Sequence, residues 1–87
     1  MAVRILELPN GHVSLEFESD EGLAVVRAIQ QIWGTPDVTA YAASQSVEFG
    51  GCQFVFQNEW DDPCLISLTA EGNPLLRQLA DHLAAQS

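Results

Sequence analysis

The chain contains no lysine, and its three arginines (Arg4, Arg27, Arg77) face twelve acids, for a formal net charge of −9 at pH 7. A field of this sign repels phosphate backbones and anionic lipid while attracting basic molecules. Nucleic acid and membrane surfaces are therefore not the expected partners; a basic protein is. Charge of either sign is also scarce, at 17 % of residues against about 25 % in an average domain. More of the surface than usual must be apolar or neutral. No apolar run approaches the roughly 18 residues of a membrane-spanning helix. The opening stretch "MAVRILELPNG" lacks the basic, apolar and small-residue segments of a signal peptide, so the expectation is a cytoplasmic protein.

Catalytic signatures are missing as well. There is no serine in a Gly-x-Ser-x-Gly setting, no phosphate-binding P-loop and no Gly-x-Gly-x-x-Gly. Glu16 and Glu18 lie about 7 Å apart on one strand face, but an exposed face offers no burial to separate their proton affinities for acid–base work. His12 adjoins a turn, and His82 borders the apolar stripe of a helix. The expectation is a non-enzymatic chain with no cofactor and no metal.

The stretch that most resembles a site is "FGGCQFVFQNEWDDPCLI", Phe49 to Ile66, which holds both cysteines. If "DDP" is the turn between two antiparallel strands, Cys64 sits beside Trp60, and Cys52 lies about 25 Å away along the partner strand. A disulfide needs Cα atoms within about 7 Å, and the spacing fits no zinc pattern. The cysteines read as buried structural thiols, which suits a cytosolic protein. "NEWDDP" offers oxygen ligands without the alternation and mid-loop glycine of a calcium loop, so it reads as a turn. Trp60 at its tip is the residue to bet on as a partner anchor, because tryptophan is enriched among interface hot spots.

What is present is continuous structure without repeats or linkers, and 87 residues make a single small domain with one core. "AVRILEL" and "HVSLEFES" flank an Asn10-Gly11 pair, a hairpin signal because both residues tolerate positive φ. Ser19 is placed to cap a helix through Trp33, with Val25, Val26, Ile29, Ile32 and Trp33 as its stripe and Gly34 and Pro36 as its stop. "VTAYAA" is a doubtful strand. "SVEF" and "CQFVFQNEW" are joined by Gly50-Gly51, and "CLISLTA" follows. Asn73 is placed to cap a last helix with Pro74 in its first turn and Leu75, Leu76, Leu79, Ala80 and Leu83 as its stripe.

The order β-β-α-β-β-β-β-α predicts an α+β fold: a mainly antiparallel sheet with both helices on one face. Val13, Leu15, Phe17, Val47, Phe49, Phe54, Phe56, Cys64, Ile66 and Leu68 are assigned to the covered side. Ser14, Glu16, Glu18, Glu48, Gln53, Val55, Gln57, Leu65, Ser67 and Thr69 are assigned to the open side. The candidate partner-binding set is Trp60, Val55, Leu65, Glu16, Glu18 and Glu48. A small acidic αβ chain without catalytic motifs is similar in outline to toxin-immunity proteins, antitoxins and small regulatory inhibitors. That likeness rests on architecture and no specific motif. The expected function is a protein-binding module for a more basic partner. The alternative is a structural protein that homodimerises through the open sheet face.

Overall fold

The computed structural model describes residues 3–41, 44–59 and 62–86. Its strands are β1 (Arg4–Glu7), β2 (Val13–Glu16), β3 (Asp37–Ala40), β4 (Gln45–Phe49), β5 (Cys52–Glu59) and β6 (Asp62–Ser67), with helices α1 (Gly22–Trp33) and α2 (Asn73–Ala85). The six strands form one antiparallel sheet in the order β1-β2-β6-β5-β4-β3. The fold is α+β with two helices, as the pattern predicts, and the doubtful strand forms as the edge strand β3.

Turn chemistry sets the hairpins. Gly50 and Gly51 both have positive φ, 61° and 78°, the requirement of a two-residue primed turn between the paired residues Phe49 and Cys52. Gly11 also has positive φ, 82°, but its loop is three residues long. Leu8 N–H donates to His12 O at 2.9 Å, and Gly11 N–H donates to Leu8 O at 3.2 Å. Pro9, Asn10 and Gly11 thus make a turn closed by a left-handed glycine, and Asn10 Oδ1 accepts from His12 N–H at 3.2 Å.

Neither helix is capped as expected. α1 is entered through a 3-10 turn at Ser19–Glu21 that is boxed by Glu18 and Glu21 and not capped by Ser19: the Glu18 side chain accepts from the Glu21 backbone N–H, and Glu18 N–H donates to Glu21 Oε1 at 2.9 Å. Gly34, φ 94°, ends the helix with its N–H on Gln30 O. Asn73 is a helical residue that follows the 3-10 turn Ala70–Gly72. Its side chain looks back to the sheet, where Oδ1 accepts the Ser67 hydroxyl and Nδ2 donates to Gly11 O at 2.8 Å. Ser67 Oγ in turn accepts Val13 N–H at 3.0 Å. This chain of bonds fastens the start of α2 to the first hairpin and satisfies a hydroxyl that is fully buried, which would otherwise be costly.

One core lies between the helices and one sheet face. Leu76, Leu79 and Leu83 of α2 are fully buried with Leu15 and Phe54, and Val25, Ala28 and Ile29 of α1 join them. Aromatic contacts tie the elements: Phe49 stacks on Phe54 with centroids 4.2 Å apart, and Trp33 lies 5.0 Å from Phe49. Burying a side chain such as Phe54 contributes about 1.5–3 kcal/mol. Val26, expected in the α1 stripe, is 40 % exposed.

The face assignment of β6 is the reverse of the expected one. Leu65 is 2 % exposed and Ser67 fully buried on the covered face, whereas Cys64 and Ile66 occupy the open face across from Glu16 and Ser14. The cause is the length of one turn. Asp62 and Pro63 are strand residues, and Glu59 pairs with Asp62, leaving two intervening residues instead of the three of "DDP". A shift of one residue moves every side chain to the opposite face. Pro63 is tolerated because its carbonyl accepts Phe17 N–H at 3.3 Å. The missing N–H lies on that same side, beyond the last ladder residue of β2.

Candidate functional site

The two helices cover one side of the sheet and leave the other without a layer. Register defines a row across the open side: Leu6, Ser14, Ile66, Val55, Ser46 and Thr39 lie side by side on β1, β2, β6, β5, β4 and β3. None of these six is charged. Leu6 is 41 % exposed, and Leu68, just past β6, 43 %; Ile66 and Val55 are half-buried. Between them a hollow of about 290 Å³ is lined by Leu8, His12, Val55, Gln57, Ile66 and Leu68.

Charges flank this row. Toward one end of the strands, Arg4 Nη2 meets Glu16 Oε1 at 3.1 Å across β1 and β2, so that pair is locally neutral. At the far edge Asp37 and Glu48 are directly opposed on β3 and β4, both exposed. Like charges so placed repel, and among the described residues no ion pair relieves them. Arg77 is engaged elsewhere, by Glu7 at 2.6 Å.

Ser14 is only 3 % exposed although it belongs to the open side. Its hydroxyl is hydrogen-bonded to the Cys64 thiol. Burial pushes that thiol up from its ordinary value, with Glu16 and Asp62 adding to the rise and the Ser14 bond opposing it. Cys52 is on the opposite face, packed against the core, and by register lies five residues along β5 from the partner of Cys64, about 17 Å. Both thiols are free. Among the described residues no three or more His, Cys, Asp or Glu side chains group as metal ligands.

Of the six candidate contact residues, the structure brings Val55, Glu16 and Glu48 to the open face. Glu18 is exposed past the end of β2. Leu65 is withdrawn, because it is in the core between Leu15 and Phe56. Trp60 lies outside the described residues. Sequence reasoning missed Leu6, Ile66, Leu68 and Cys64 as open-face residues. Placing a two-residue connection after Glu59 would have found the last three, since it pairs Phe56 with Leu65 and turns Cys64, Ile66 and Leu68 outward. No helix of the described residues is long and apolar enough to cross a membrane. No protein-family model, no curated protein and no solved structure matches the chain.

Proposed function

We propose that the protein is a non-enzymatic binding module that holds a more basic protein against the open face of its sheet. The observation that carries this reading is the uncharged row from Leu6 to Thr39 with the opposed pair Asp37 and Glu48 at its far edge. A neutral, partly apolar centre suits a contact that excludes water, and unrelieved carboxylates at its border suit lysine or arginine on the partner. A second copy is the poorer occupant, since each copy carries −9 and like fields oppose association.

The test is affinity capture from the native host's lysate with mass spectrometry, using the wild type, Val55→Lys, and the double variant Asp37→Asn with Glu48→Gln. We expect a basic protein retained by the wild type at about 0.05 M salt and released near 0.5 M, where screening shortens to a few ångströms. Val55→Lys should abolish retention and the double variant should weaken it. Retention indifferent to all three changes overturns the reading. So does a wild-type dimer in sedimentation that Val55→Lys converts to monomer.

A further inference from the structure

A second cavity lies on the covered side, where α1 stops short of closing over the sheet. Its volume is about 240 Å³. Val25 and Ile29 of α1, Val47 of β4 and Phe56 of β5 form its floor, and the half-exposed Val26 and Val38 stand at its mouth. Gln45 brings the one polar side chain among the lining residues. The cavity exists because α2 packs over β1 and β2 while α1 leans on α2. The apolar side of β3 and β4 is left with cover from one flank only.

From this geometry we infer that the cavity is a binding site for a single aliphatic chain carrying a cationic head group. Size sets the chain length: an apolar cavity of about 150 Å³ holds a benzene ring and stays dry when empty, and in proportion this one holds about eight to ten carbons. Lining chemistry sets the body of the ligand, because a wall of valine, isoleucine and phenylalanine offers water almost no partner and gains by apolar contact. Charge sets the head. The lining residues Phe17 and Gly22 are the two ends of a turn that carries the exposed acids Glu18 and Asp20. Arg27, beside Val26, is the single cation next to a lining residue in the sequence. A carboxylate or phosphate head at this mouth is repelled and an ammonium is attracted. The inference does not depend on the open face, which is on the other side of the sheet.

The experiment titrates octyltrimethylammonium, 1-octanol and octanoate, which share a chain and differ in head charge, into the full chain at low ionic strength. Methyl chemical shifts are followed by NMR. Saturable shifts are expected at Val25, Val26, Ile29, Val38 and Val47. The ammonium should bind about tenfold more tightly than the carboxylate, with the alcohol between them. Val26→Phe should plug the mouth and weaken all three by about tenfold or more. Its melting midpoint reports whether the fold survives, and Val38→Phe at the exposed edge strand serves if it does not. Octanoate binding as tightly as the ammonium overturns the inference. Shifts centred on Leu6, Val55 and Ile66, or absence of saturation with every head group, do so as well. A sedimenting dimer that the ligands fail to dissociate would assign the groove to a second copy and equally overturn it.

Discussion

The two faces of the sheet are made from the same six strands and obey different rules. On the covered face Leu15, Phe54, Leu65 and Ser67 are almost or fully inaccessible, and even the buried hydroxyl is committed to Val13 and Asn73. On the open face the equivalent central row is, apart from the buried Ser14, half-buried or exposed, uncharged, and bordered by opposed acids. One face is fixed by the need to exclude water, so its chemistry reports folding. The other supports less of the stability and keeps side chains that folding does not demand. That excess of neutral surface over folding need is what makes the open face the place to look for function.

The sharpest way to break this contrast is to cut back adjacent side chains that point to opposite faces. Phe54→Ala removes a ring stacked on Phe49 and enclosed on all sides, and should cost about 3–5 kcal/mol in urea unfolding. Val55→Ala, its neighbour in the chain but on the opposite face, should cost less than about 1 kcal/mol. Comparable losses at the two positions would mean that the open face is covered by something in solution.

Next in size is the polar link beneath the covered face. Asn73→Ala strips the acceptor from the Ser67 hydroxyl and the donor from Gly11 O, and should cost about 1–3 kcal/mol, because two hydrogen bonds are lost, one of them to a buried hydroxyl. A lost helix cap would give a cost of similar size, so the distinguishing readout is location. Amide exchange should rise at Gly11 to Val13 as well as at the start of α2. Exchange that rises only in α2 would return Asn73 to the role of a cap.

Much of this architecture was legible from the sequence, and the part that was not has a definite cause. Strong local signals carried through: Asn10-Gly11 and Gly50-Gly51 mark turns with positive φ, and the leucines of α2 recur at helical spacing. The strand Cys64 to Leu68 defied reading because four of its five residues are apolar, so alternation names no face. The choice passed to the turn before it, where one residue more or less inverts the strand. The longer turn puts Leu65 outside and Ile66 inside. Ser19 and Asn73 misled for a different reason. Residues that suit an N-cap also serve as buried hydrogen-bonding side chains or sit in a 3-10 entry turn, and local sequence does not separate these uses. The Asp37–Glu48 opposition depends on strand order, which propensity does not encode.

The smallest expected effect sharpens the contrast at one atom. Cys64 is on the open face, yet partial burial raises its thiol above the ordinary value near 9.0. The folded state therefore favours the protonated thiol more than the unfolded chain does. Stability from this group is complete below the unfolded value and is lost as pH climbs through it toward the folded one. Urea midpoints of the wild type and Cys64→Ser should run parallel up to about pH 8 and converge above about pH 9, with the wild type falling faster. Thiol labelling provides the companion measurement: in native protein near pH 8, Cys64 should react more slowly than an unfolded thiol, and Ser14→Ala should slow it further by removing a bond that favours the ionised form. A Cys64 that labels at the unfolded rate, with midpoints parallel across the whole range, would mean that the row around Ser14 is wetter than its 3 % exposure indicates. The open face would then lose its claim to a dry, neutral centre.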